Sequence, residues 1–155
     1  MPSVDYSLDE QLDRIIALLR ADTDLKTLMG GSELIQIEFG HPPEGKRFLM
    51  GNWHVWVDFG SWEGPIVSAN RWEHRIEWII GIRRRFTPDQ DTSEREILKT
   101  LEDVDRIIRD NPDLGGASPV DAQRGSTARK ELITVGDYAY AELTYTFGTR
   151  LRTRL

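Results

Sequence analysis

A chain of 155 residues is long enough for one well-cored domain and short for two, and 39% apolar with 30% charged residues suits a folded, well-solvated globule. With 26 acidic against 20 basic residues the formal charge is −6, which argues against a free polyanion-binding domain, and the lack of cysteine excludes disulfides, thiolate zinc sites and a cysteine nucleophile. No basic-then-apolar leader opens the sequence and no apolar run approaches a membrane span, so a protein made and used in a cytoplasm, or in something assembled there, is expected.

Ser7-Leu8-Asp9-Glu10 has the form of a capping box, and Leu8, Leu12, Ile15, Ile16 and Leu19 then recur at three- and four-residue steps. That spacing predicts an amphipathic helix over 8 to about 20. A further turn carrying Leu25, Leu28 and Met29 follows a break near Asp22 to Asp24 and ends at Gly30-Gly31. From Glu33 the period becomes two, so Ile35, Ile37 and Phe39 predict a short half-buried strand, which GHPPEGK at 40–46 ends. A second strand is expected over 52–59, with Trp53, Val55, Val57 and Phe59 inward and His54, Trp56 and Asp58 outward. GSWEGP at 60–65 reads as a turn or loop.

RWEHRIEWIIGIRRRF, residues 71–86, alternates over nearly its whole length: Trp72, His74, Ile76, Trp78, Ile80 and Ile82 on one face, Glu73, Arg75, Glu77, Arg83 and Arg85 on the other. It predicts a long strand of an antiparallel sheet with one wet face. Ser93 to Glu96 offers a second capping box, and Ile97, Leu101, Val104 and Ile108 keep helical spacing until Asn111-Pro112. Residues 112–129 have no usable period and read as a long loop. KELITV at 130–135 and AYAELTYTF at 139–147 read as strands, with Gly136-Asp137 as a tight turn or bulge between them. Strands joined by short loops, with helices set apart from them, predict an α+β domain over 1–155: a mainly antiparallel sheet with two principal helices packed on one face. The loops near 40–51 and 112–129 are expected to be mobile, and the chain to close on a basic C-terminal tail.

The sequence carries no dinucleotide, P-loop, zinc-protease or nucleophile-elbow motif, and no catalytic, cofactor or metal site is expected. His54, Asp58 and His74 are the one set worth testing for a metal, but His54 and Asp58 stand about 13 Å apart along a strand, too far to share an ion. Arg84 faces away from Arg83 and Arg85, so the three read as a solvated or interface strand end rather than a nucleic-acid grip. Arg150, Arg152 and Arg154 share one side if extended, and serve either as a cationic stripe for an acidic partner or as a frayed tail. Trp56 is out of phase with its apolar neighbours and Trp62 lies in a glycine-flanked loop, which marks both as candidates for an interface with a partner chain.

Taken together, RIIALLRADTDLKTLMGG, a strand group, EREILKTLEDVDRIIRDNPDLGG and a closing AYAELTYTF resemble the small tail-terminator or tail-completion proteins of long-tailed bacteriophages. The resemblance covers most of the chain in pattern and phrasing, without a short diagnostic motif. It implies an α+β virion protein that is not an enzyme, with no cofactor. Subunits of such proteins assemble as a ring, typically a hexamer, on the head-proximal end of the tail tube. The ring stops tube polymerisation and joins the head connector proteins, while DNA only passes through its lumen. The implied location is the tail or neck of a virion, assembled in the bacterial cytoplasm without a membrane. The GHPPEGK and GSWEGP loops and the aromatic richness of 53–78 depart from the family, and leave open a related neck protein. A second reading is a module that binds a small ligand or peptide in a pocket of Trp53, Trp56, Trp62 and Trp72; nucleic-acid binding through the arginines is a third.

Overall fold

The computed structural model describes residues 8–30, 37–40, 53–68, 71–86, 90–115, 120–122, 127–135 and 138–154, and its fold is α+β, a mainly antiparallel sheet with two principal helices packed on one face. Helix α1, Leu8–Ala21, presents Gln11, Leu12, Ile15 and Leu19 to the interior at the spacing its sequence dictates, with Asp9 and Glu10 favouring its N-terminal dipole. Ser7, its expected cap, lies outside the described residues. Asp22 separates α1 from α2, Thr23–Leu28, and caps the second helix by accepting from the Leu25 N–H at 2.9 Å. Gly30 follows with φ of 93°, the left-handed conformation that closes helices at least cost.

Asp22 also receives the Arg106 guanidinium at 2.9 Å, which ties α2 to the third helix, α3, Gln90–Asp110. Burial alone would raise the Asp22 carboxyl, but the Arg106 hydrogen bond, the Leu25 N–H and the arginine's charge together hold it below the usual carboxylate range. The stability it contributes is therefore present at neutral pH and lost as pH falls through its lowered folded value. Asp103, which Arg106 also touches, moves the other way because burial dominates there. We expect Asp22→Ala to cost about 1–2 kcal/mol in chemical denaturation at pH 7. The difference from the parent should shrink at pH 3, and a gap unchanged between the two pH values would contradict this role.

Six strands among the described residues form the sheet: β1, Ile37–Phe39; β2, Trp53–Ser68; β3, Arg71–Arg85; β4, Val120–Ala122; β5, Thr127–Val135; and β6, Tyr138–Arg154. Their order is β1-β2-β3-β6, with β4 and β5 both on the outer side of β6. The core lies between this sheet and the helices. Val55, Val57, Ile76, Trp78, Ile80, Ile82, Leu143, Tyr145 and Phe147 meet Ile15, Leu19, Ile97, Val104, Ile107 and Ile108. After α3, Leu114 turns back with φ of 53° and buries its side chain, so packing offsets a conformation that non-glycine residues avoid.

Several elements differ from the sequence reading. GSWEGP is not a loop: β2 runs through it and stays paired with β3, absorbing the glycines and proline as register shifts between Phe59 and Ser61 and between Glu63 and Ile66. β1 pairs parallel with β2, placing Ile37 beside Val55 and leaving Phe39 exposed rather than half-buried. Ser93 is no cap, because α3 already includes Gln90 and Ser93 is buried within it; the three-residue step to Glu96 is one turn of a face turned toward the sheet. The 112–129 segment contains β4 and the start of β5. The C-terminal arginines are no frayed tail, since β6 pairs with β3 as far as Arg154 opposite Arg71. Residues 31–36, 41–52, 116–119 and 136–137, which include the GHPPEGK segment after Gly40 and the Gly136-Asp137 turn, lie outside the described residues.

Candidate functional site

The sheet face away from the helices was expected to be wet, yet its centre is buried. Trp56 and Gly81 are register partners, and the Trp56 indole covers the glycine so closely that a Cβ there would sit 2.0 Å from Cε2. Only glycine lets a ring lie flat on its neighbour's backbone in this way. The Arg83 guanidinium stands 5.3 Å from the Trp56 ring centre and 5.2 Å from that of Tyr140, and its Nε donates to Glu142 at 2.9 Å. His54 meets the same indole edge-on. Trp56 is 0% exposed and Arg83 2%, so neither stands on the monomer surface as a candidate interface residue. The physical reason is mutual: a cation needs charged and aromatic partners to be buried, and an out-of-phase tryptophan needs a glycine to lie on.

Arg84 points to the opposite face, as the alternation required, and there it is 5% exposed. It packs 4.9 Å over the Trp53 ring, donates through Nε and Nη2 to Glu96 Oε2 at 3.0 and 2.8 Å, and reaches the Arg85 carbonyl through Nη1. Arg84 thus joins β3 to α3 and is not a free strand end. Arg84→Ala is expected to cost about 3 kcal/mol, the lower range for breaking a buried pair, because Glu96 keeps some access to water. Arg84→Lys should recover only part of that, since an ammonium lacks the planar fork. A melt of Arg84→Ala indistinguishable from the parent would contradict this role. Arg85 is half-buried on the face of Arg83.

The far half of β2 has no described strand on its outer side. Trp62, in register with Ile76, is 48% exposed and stacks on His74 with ring centres 5.7 Å apart and planes 21° from parallel. On the other face, Arg75 and Arg150 are register partners, a like-charge pair held by Glu73 between them at 3.2 and 3.1 Å. Arg152 pairs with Glu73 in register and Arg154 with Arg71, so the cationic stripe exists as a strand; the side chains of Arg152 and Arg154 lie outside the described residues. A cleft of about 350 Å³ opens here, at the bulge after Phe59, between Ser61, Glu63, Arg75, Glu77, Thr149 and Arg150. Its walls alternate in charge around Ile76 and are as much polar as apolar, where a small-molecule pocket is mostly apolar.

Of the eight residues singled out from sequence, then, only Trp62 combines a described side chain with a mostly open surface. No known family model matches the chain, and no curated protein matches it.

The four tryptophans do not form one pocket. Trp53 and Trp56 are three positions apart in β2 and lie on opposite faces, Trp62 stands at the exposed end, and the Trp72 side chain lies outside the described residues. His54 and His74 also occupy opposite faces, and the described residues hold no group of three potential metal ligands. No helix among them is long and apolar enough to cross a membrane. Sequence reasoning missed Gly81, Glu96, Tyr140 and Glu142, which bury the arginines and Trp56. It also missed Gln11, whose Oε1 accepts from Thr149 at 2.6 Å and from Trp78 Nε1 at 3.2 Å in the core. One signal was legible for Gly81: a glycine in the middle of an otherwise β-branched and aromatic strand marks a close approach.

Proposed function

We propose that the protein is a structural assembly subunit, one that caps the head-proximal end of a long-tailed phage's tail tube as a ring, ends tube polymerisation and offers the surface to which head connector proteins join. The observation that carries this reading is the exposure of Phe39, Phe59 and Trp62 on a sheet whose core is otherwise well packed. Aromatic side chains at an uncovered sheet margin are stable in water only at a cost, and are enriched where a partner chain covers them. The helix, strand group, helix and closing strand order supports the same reading through the resemblance of the chain to tail-completion proteins. The arginine-bearing end of β3 and β6 is the surface we assign to the acidic rim of a neighbour.

The test is a tube-length assay with a tail tube protein from the same genome as this chain. Added during polymerisation, the protein should shorten the tubes and, when labelled, sit at one end of each. Decoration along the tube wall, or tubes of unchanged length with unlabelled ends, would contradict the assignment.

A further inference from the structure

Six large apolar side chains stand exposed among the described residues, and five of them divide between two opposite flanks of the sheet. On the flank formed by β1 and β2 are Phe39, Phe59 and Trp62. Phe39 is in register with Val57, Phe59 with Trp78 and Trp62 with Ile76, so all three belong to the helix-bearing face at its margin. On the other flank are Leu132 and Leu98. Leu132 is in register with Ala141 on that same face of β5. Leu98 follows Glu94 by one helical turn, and Glu94 takes the Lys130 ammonium of β5, so this stripe of α3 looks toward β5. Neither the outer side of β5 nor the far half of β2 pairs with another described strand.

Charge and coverage together select the arrangement. β2 carries Asp58 and Glu63 and no lysine or arginine, whereas β5 carries Arg129 and Lys130 against Glu131, and counting Glu94 leaves that flank neutral. Two β2 flanks facing each other would oppose like charges. A two-fold dimer through either flank would also leave the apolar side chains of the other in water. A head-to-tail contact covers both. We infer that the β1–β2 flank of one copy docks on the β5–α3 flank of the next, with Phe39, Phe59 and Trp62 packing against Leu98 and Leu132.

Such a contact is heterologous, and repeated it closes into a ring when the rotation per subunit divides a full turn. The inference rests on the ring reading above and specifies which surfaces make the ring. The two register shifts in β2 interrupt the regular spacing of its edge, so the contact is made by side chains rather than by one hydrogen-bonded sheet running between copies.

The chain has no cysteine, which permits a direct test. Ser61→Cys places a thiol on the β2 flank and Thr134→Cys one on the β5 flank, both at exposed positions. An equal mixture treated with a short bismaleimide should give Ser61→Cys to Thr134→Cys crosslinks, with each variant alone giving monomer. The double variant should give a ladder of multimers. Self-crosslinking of either single variant as the main product would overturn the head-to-tail contact. So would the absence of mixed crosslinks in a sample that light scattering shows to be oligomeric, and that result would leave the ring reading standing. Monomer throughout, by mass and by crosslinking, would overturn both. As a second readout, Leu132→Lys should abolish the multimers without moving the melting temperature of the subunit.

Discussion

Gly81→Ala, a change of one methyl group, is expected to destabilise the protein by about 3 kcal/mol and to lower its melting temperature by roughly 10 °C. In an ordinary strand the same change would help slightly, because alanine loses less backbone freedom on folding than glycine. Here the new Cβ would fall 2.0 Å from Cε2 and 2.1 Å from Cζ2 of Trp56, well inside contact distance. The indole has nowhere to go: His54 stands edge-on to it and the Arg83 guanidinium stacks over it. Moving the ring also disturbs the pairing of Arg83 with Glu142, where a displaced charge would be left buried. The diagnostic is the double variant. With Trp56 already truncated to alanine, Gly81→Ala should cost little or give a small gain, so the two changes are strongly non-additive. Equal costs in both backgrounds would show that the glycine serves some purpose other than seating the ring.

Trp78→Ala is expected to cost about 3–5 kcal/mol, the range for truncating a buried aromatic. Trp78 sits at the middle of the core and meets Phe59 edge-on with ring centres 5.9 Å apart. Its Nε1 donates to both Gln11 Oε1 and Thr149 Oγ1 at 3.2 Å, which links α1 to the two central strands. Truncation therefore opens a cavity and strips a buried amide of a donor. The Gln11 Nε2 already lacks a protein partner, so this cluster is retained at a cost that Trp78 helps to offset. Trp78→Phe should recover most of the packing but none of the hydrogen bonding, and its residual loss, read by denaturant titration, measures the latter. A loss below about 1 kcal/mol for Trp78→Ala would contradict the core position.

Elements whose partners are near in sequence or dictated by period were legible from the chain alone. The three- and four-residue steps of α1, the long alternation of β3 and the stop at Asn111-Pro112 reappear in the structure. What failed depended on distant partners. Arg83 and Arg84 read as surface residues because nothing local neutralises them; their partners, Glu142 and Glu96, arrive from another strand and from α3. Trp56 read as exposed because alternation places it on the wet face, and only its register with Gly81 shows how that face buries a ring. The parallel direction of β1 is likewise invisible to a period-two pattern. Glycine and proline in GSWEGP are strong turn signals locally, but a long antiparallel partner held β2 in register through them. Trp62 alone among the expected interface residues keeps a described, exposed side chain, on the half of β2 that has no described strand outside it.

The measurement that bears most directly on the central claim is mass by light scattering over a wide concentration range, with negative-stain imaging of the large species. Closed rings, typically of about six copies in assemblies of this kind, with a mass fixed at one multiple of the subunit, are the predicted result. A species that stays monomeric at every concentration and shows no ring on the grid would contradict it.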